Sequence, residues 1–389
     1  MDRIKEMDQT GKNNKKITIA LLCTALNDRG GTSRFMADLY IHLDSNLYRV
    51  LIVYSCVKKN HLHKFFIAQG VKNEDLFWLP QSKKMFFTPL VVKLKNLFIS
   101  QRVDIIHTFF LHSDIVGCFA ALLAGKKRLI SSVVGKFFWD EINGVGKLKQ
   151  ACYRLFNSLI RHNFYRTITV SQQLSDELVK CRAALAQKVA AINLGVVIPP
   201  DEFINIPPDN RKNIIVASLS RLTKDKGLEY LLQAVPYVIA QVPDARFIIA
   251  SIGEEEKNLK QLARDLHIQS VVDFPGWVSN AAEFMKNTDI FTIPSLREGC
   301  SLSLLEALSF AKPVVAFRVP GIQEIIQNGK NGIMVEPFDV QQFALAIITL
   351  CKDKNYARKL SLNGRALVQE KFSISAGIAK IEWIYRNVE

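Results

Sequence analysis

One pattern constrains this chain more than any other: short, almost wholly apolar, β-branched runs alternate with helix-period segments, and the series starts twice. In the first half the strand candidates are Ile17–Cys23, Arg49–Ser55, Val103–Thr108, Arg128–Val134 and Thr167–Val170, with helical patterns such as Thr32–Leu43 between them. Continuous apolar strands suit a parallel sheet covered on both faces, and alternation with helices gives doubly wound α/β units. A polar stretch punctuated by Pro199, Pro200, Pro207 and Pro208 then reads as a linker. Beyond it the pattern resumes with strands at Asn213–Leu219, Ala245–Ser251, Val271–Phe274, Asp289–Ile293, Pro313–Phe317 and Gly332–Val335. Helices are expected at Lys226–Gln241, Glu254–His267, Ser301–Ala311, Gly321–Gln327 and Val340–Lys352. The expected architecture is two Rossmann-like domains, 15–200 and 201–372, facing each other across a cleft, with a polar, disordered tail at 1–14. A last amphipathic helix within 373–389 carries Ile378, Ile381 and Ile384 at three-residue spacing and must dock on another surface. Open α/β sheets bind ligands at the carboxyl ends of their strands, which directs attention to the loops there.

Charge is distributed unevenly. Residues 1–200 hold 29 Lys and Arg against 14 Asp and Glu, whereas 201–389 hold 22 of each, so the whole net charge of +15 lies in the first half. An anionic partner for that half follows, either nucleic acid or an acidic membrane surface. No nucleic-acid reading module is recognisable, so nucleic acid is not expected as a partner. Basic and aromatic residues mix at Lys83–Phe87, at Gly135–Trp139 and along Lys147–Arg166, a composition suited to a membrane interface. The seven Cys show no C-x-x-C spacing, and several lie in apolar runs, which reads as the reducing cytosol. No apolar run reaches the ~18 residues of a membrane span, because His112 and Asp114 interrupt Ile105–Ala124. The expected location is cytoplasmic, with peripheral contact on the inner face of the membrane.

Three loops carry the candidate chemistry. In the first, a strand ends at Pro294 and Glu298, Gly299 and Cys300 lead to Ser301, a good N-cap for a helix that holds Leu302 and Glu306. The free N–H groups and positive end of such a helix suit a diphosphate, and the two carboxylates suit hydroxyls on either side of it. That arrangement fits a nucleotide sugar, with sugar hydroxyls at one end and ribose hydroxyls at the other; on spacing alone, a dipole partner for Glu298 and a solvated Glu306 fit as well. The second loop, Ser220–Gly227, follows a strand and presents Arg221 and Lys226, two cations able to neutralise a pyrophosphate leaving group. The third, Asn27–Thr32, has the pair Gly30 and Gly31, which lets backbone approach a phosphate; it is not the dinucleotide G-x-G-x-x-G. Asp-x-Asp is absent, so neither a metal-diphosphate clamp nor any cofactor is expected beyond the nucleotide sugar itself, UDP- or GDP-linked.

Together these pieces resemble the group 1 retaining glycosyltransferases of the GT-B fold, family 4 type. Glu298 and Glu306 match the E-x7-E motif. Ser220, Arg221, Leu222, Lys226 and Gly227 match G-R-L…K-G, with Ser for the first Gly. Pro275, Gly276, Trp277 and Val278 match the P-G-x-V turn that takes the base, Gly321 to Gly332 matches G-x-x-E-x-I-x-x-G-x-N-G, and Val170 to Leu174 matches V-S-x-x-L. The resemblance covers nearly the whole chain. It implies a metal-independent retaining hexosyltransferase in which Arg221 and Lys226 bind the donor diphosphate, Glu298 the sugar and Glu306 the ribose. Gly30, Gly31 and Thr32 would approach the phosphate from the opposite domain, and the final helix would cross back to the N-terminal domain. The leaving phosphate oxygen would take the acceptor's proton in a same-face substitution. The acceptor is expected to be a cell-envelope glycan or a lipid-linked saccharide. Two departures stand out: Val134 occupies the place where the family often carries His before Gly, and Ile192–Gly195 differs from the usual P-N-G. His107 and His112 are the candidates to contact sugar or acceptor in that region. Two other outcomes share the fold: a nucleotide-sugar 2-epimerase or hydrolase, and a non-catalytic binding protein derived from a transferase.

Overall fold

The structure, a computed structural model, describes residues 16–24, 31–56, 59–80, 87–134, 160–180, 184–204 and 213–388. Gly30, the tail at 1–14, and the basic-aromatic stretches at 83–86, 135–139 and 147–159 lie outside the described residues.

Two parallel sheets form the frame. The first comprises β1 (Ile17–Cys23), β2 (Tyr48–Cys56), β3 (Leu76–Pro80), β4 (Ile105–Phe109), β5 (Leu129–Val133), β6 (Arg166–Thr169) and β7 (Val189–Ala191), in the order β3-β2-β1-β4-β5-β6-β7. The second comprises β8 (Ile214–Leu219), β9 (Ala245–Ala250), β10 (Val272–Gly276), β11 (Ile290–Ile293), β12 (Val314–Phe317) and β13 (Ile333–Val335), in the order β10-β9-β8-β11-β12-β13. Every strand pairing is parallel. The direction of progression reverses between β1 and β4 in one sheet and between β8 and β11 in the other, and a crevice opens at each reversal. The loops after β8 and β11 therefore lie beside the reversal of the second sheet.

Residues on both faces of the central strands are buried: Ile19, Leu21, Ile52 and Ile105 join one core layer, Ala20, Leu22, Val53 and Ile106 the other. This is why β1 reads as a nearly continuous apolar run and not as an alternating one. Asp114 is also buried in the N-terminal domain. Arg161 pairs with it at 2.8 Å, and Thr108 and Ser131 donate to its carboxylate at 2.5 and 3.0 Å. That satisfied charge explains how a helix as apolar as Leu111–Leu123 accommodates an acid. Among the described residues no helix is long and apolar enough to cross a membrane.

The chain crosses between domains at two adjacent strands of backbone. Val196 donates to Phe372 O and accepts from Ile374 N, both at 2.9 Å. A Cβ on Gly195, whose φ is +83°, would stand 2.3 Å from Phe372 O, and one on Gly377 2.2 Å from Leu194 O, so both crossings need glycine. Past this point helix Ile374–Asn387 buries Ile378, Ile381, Ile384 and Tyr385 in the N-terminal core.

His107 lies in that core and does not reach the crevice. It is fully buried in β4, its Nδ1 2.6 Å from Tyr385 Oη and its Nε2 2.7 Å from Ser132 Oγ. Both ring nitrogens are used inside the protein, which corrects the expectation that His107 contacts sugar or acceptor. Burial drives its pKa down to about 3, so the imidazole is neutral in the folded chain. Tyr385→Phe leaves Nδ1 without its partner. The expected loss is about 1–3 kcal/mol of stability, read from denaturant midpoints, with the helix still docked by its isoleucines. Because the unfolded chain protonates His107 at its ordinary pKa of 6.5, this site contributes stability above that pH that is lost as pH falls toward 3.

Candidate active site

The β8 and β11 loops are pressed together by glycine. Gly227 follows the Lys224–Lys226 turn with φ +58°, and a Cβ there would stand 2.2 Å from Pro294 O. Leu296 N–H donates to Asp225 O at 2.9 Å and locks the same contact. This closeness brings Lys226 Nζ to 2.7 Å from Glu298 Oε1, the pair largely buried at 15% and 9% side-chain exposure. Ser295 Oγ donates to the same oxygen at 2.8 Å. Glu298 Oε2 has no protein hydrogen-bond partner among the described residues. Arg221 stands exposed on the same loop.

The loop then runs through half-buried Gly299 and Cys300 to the Leu302–Ser309 helix, capped by Ser301, whose Oγ accepts Leu304 N–H at 3.4 Å. The N–H groups of Leu302 and Ser303 have no intrahelical acceptors and stand at the positive end of the helix dipole. Across the crevice lies the Gly31–His42 helix: a Cβ on Gly31 would be 3.9 Å from Leu302 Cδ1, and Thr32 is buried in its first turn. Glu306, one turn into its own helix, is half-buried beside Arg34 and Asp38 of that opposite helix. Burial raises its pKa to about 7; Arg34 pulls it down and Asp38 pushes it up. Val278 is half-buried in the loop after β10, beside exposed Trp277.

The arrangement brings Glu298, Lys226, Gly299, Cys300, Ser301, Leu302, Glu306 and Gly31 to one interdomain crevice. His112 is exposed at the start of Leu111–Leu123, with Nδ1 2.6 Å from Thr24 Oγ1. Val134, in the place of the family His, is half-buried against the N-terminal core. Sequence reasoning missed the residues contributed across the crevice. Asn193 donates to Cys300 Sγ, and burial pushes that thiol up to about 12, so it is a neutral packing group. Arg34 and Asp38 carried no signal, being ordinary polar positions on a helix. Glu324 and Asn193 lie within Gly321–Gly332 and Ile192–Gly195, but nothing local marks them as reaching the other domain.

The family model described as Glycosyltransferase Family 4 matches residues 29–198, and that described as Glycosyl transferases group 1 matches 201–367. The chain belongs to the group 1 glycosyltransferases. Among curated relatives, the UDP-Gal:alpha-D-GlcNAc-diphosphoundecaprenol alpha-1,3-galactosyltransferase of Escherichia coli is 25% identical over 334 residues, 79% of this chain and 85% of that protein. The capsular polysaccharide biosynthesis glycosyltransferase CapM of Staphylococcus aureus is 22% identical over 313 residues, 76% and 80% of the two chains. Among solved structures, Anabaena HepE in complex with UDP and glucose superimposes with a TM-score of 0.78 at 19% identity, over 95% of this glycosyltransferase and 99% of that chain. The likeness establishes the two-domain GT-B architecture for this chain.

Proposed function

We propose that this glycosyltransferase moves a hexose from a UDP-linked donor to a cell-envelope acceptor, a glycan or lipid-linked saccharide, with retention and without a metal. The observation that carries the reading is the Lys226–Glu298 pair at the mouth of the Ser301-capped helix, a cation, an acceptor and a helix start within one crevice. Lys226, Arg221 and the helix N–H groups take the charge that builds on the departing diphosphate, which is positioning plus electrostatic stabilisation. Glu298 holds the sugar through Oε2, Glu306 holds the ribose, and the leaving phosphate oxygen takes the acceptor's proton. Gly31 approaches the phosphate from the N-terminal domain, and Val278 lies by the base. The names of the E. coli and Anabaena proteins, one a UDP-galactose transferase to a lipid diphosphate and the other bound to UDP, support the choice of donor and acceptor class. The basic N-terminal half supports a cytoplasmic enzyme peripheral to the inner face of the membrane.

A thermal-shift series with UDP, GDP and their sugars tests the donor: UDP and one UDP-sugar are expected to raise Tm, and GDP is not. Transfer in the presence of EDTA, with the anomeric configuration of the product read by NMR, tests the absence of a metal and retention. Inverted product, or a Tm shift with GDP alone, overturns the corresponding part. Product from donor alone would indicate the epimerase or hydrolase instead.

A further inference from the structure

A single carboxylate joins the donor-site loop to the opposite domain. Glu324 Oε2 accepts the backbone N–H of Gln172 at 3.0 Å and Oε1 that of Gln173 at 2.7 Å. These groups open the nine-residue helix Gln172–Lys180, so they have no intrahelical acceptors and sit at the positive end of its dipole. The helix follows β6 of the N-terminal sheet, while Glu324 follows β12 of the C-terminal one.

The other end of the Glu324 segment touches the donor site. Gly321 begins it, buried, and a Cβ there would stand 2.2 Å from Glu298 O and 2.8 Å from Gly299 O. Between the two contacts lies the single turn Pro320–Gln323, pinned by the fully buried Ile322. A short, anchored turn thus has the backbone of Glu298 against one end and the N-terminal domain on the other. Asn193 and Cys300 add a second link from the same loop to the same domain.

We propose that Glu324 is a positioning residue: its carboxylate clasps the two domains closed and ties that closure to the place of Glu298. It touches neither donor nor reacting atoms, and its role in turnover rests on the transferase reading above. Closure brings the N-terminal side of the site over the donor, so the clasp acts on turnover and leaves nucleotide contacts within the C-terminal domain intact.

The test compares the parent with Glu324→Ala and Glu324→Gln. UDP affinity is read by calorimetry, folding by Tm, and compactness by small-angle scattering with and without UDP. Turnover is read as UDP release from UDP-glucose, UDP-galactose and UDP-N-acetylglucosamine with a lipid-diphosphate-linked GlcNAc as acceptor, above the release seen without acceptor. For Glu324→Ala the expected result is a larger radius of gyration and kcat lower by about tenfold or more, with UDP affinity within about twofold of the parent. Glu324→Gln keeps one carbonyl acceptor but loses the charge and falls between. Unchanged scattering and kcat in Glu324→Ala overturns the proposal. So does a loss of UDP affinity as large as the loss of kcat in both variants, which would make Glu324 a donor-binding or folding residue. If the parent itself binds no UDP, the donor reading fails, while scattering without nucleotide still decides the clasp.

Discussion

Lys226→Ala is expected to lower kcat by about a hundredfold or more, because it removes a cation held where negative charge develops on the leaving diphosphate; one such positioned group is commonly worth about 10²–10³ in rate. The same substitution has a second consequence that must be separated from the first. Lys226 Nζ lies 2.7 Å from Glu298 Oε1, and neither side chain is much exposed. Removing one partner of such a pair strands the other charge, at a cost of up to about 3–5 kcal/mol where burial is complete. Stability will therefore fall as well, and lost activity alone would not identify Lys226 as catalytic. The double variant Lys226→Met with Glu298→Gln resolves this. It carries no stranded charge, and Ser295 Oγ can still donate to the amide carbonyl introduced at position 298, as it does to Glu298 Oε1 in the parent. Tm is expected to recover toward the parent while kcat remains at or below that of Lys226→Ala. A double variant that turns over like the parent would remove the pair from the chemistry. Lys226→Arg is not expected to rescue: the planar fork of a guanidinium is wider than an ammonium and meets the Glu298 carboxylate with a different geometry.

How much of this was legible in the sequence follows from the range of the interactions involved. The β8 and β11 loops could be placed from local signals alone, because an apolar strand, Gly and Pro punctuation, and the N-cap Ser301 are all written within a few residues. The doubled sheet was legible for the same reason. Two edge strands were not. Leu76–Pro80 is five residues long and ends in Pro, and Val189–Ala191 is three residues long, so neither offers a run sufficient to register a period. The expected helix Gly321–Gln327 stops at Gln323 because Asn331 intervenes: its Oδ1 accepts Gln327 N–H at 2.7 Å and its Nδ2 donates to Ile325 O at 3.0 Å, turning the chain. His107 shows the limit most clearly. In sequence it is a polar residue at a strand end near the expected sugar site. Its actual environment is set by Tyr385, 278 residues away, on a helix that returns from the far end of the chain. Glu324 is the reverse case: its motif marks the residue, and only the fold shows what it holds, the backbone of Gln173 and Gln172, 151 and 152 positions away. Motifs report chemistry that is local in sequence; the coupling between domains is not.

UDP affinity is expected to fall as pH drops below about 7, approaching tenfold per pH unit, and Glu306→Gln is expected to flatten that dependence. The sign follows from what the side chain must do. Ribose hydroxyls donate to a carboxylate, so tight binding requires Glu306 to be ionised, whereas its burial favours the proton and lifts the pKa to about 7. Below that value each pH unit removes about nine-tenths of the ionised form, and binding must supply the deprotonation. The terminal phosphate of UDP also titrates near about pH 6, so the quantity to compare is the difference between the parent and Glu306→Gln across roughly pH 5 to 8, by calorimetry. Two neighbours give independent checks of opposite sign. Arg34 lowers the Glu306 pKa and Asp38 raises it. Arg34→Met is therefore expected to move the midpoint of the affinity profile to higher pH, and Asp38→Asn to lower pH. The ligand-free protein runs the other way. With a folded pKa of about 7 against an ordinary value of 4.5, the folded chain holds this proton more tightly than the unfolded one. The contribution of Glu306 to stability is therefore complete below about 4.5 and disappears as pH rises through 7. Acid thus favours the empty fold at this residue and disfavours the nucleotide complex. If the parent and Glu306→Gln share one affinity profile, or if the Arg34 and Asp38 variants shift it in the same direction, the ribose contact is not made by Glu306.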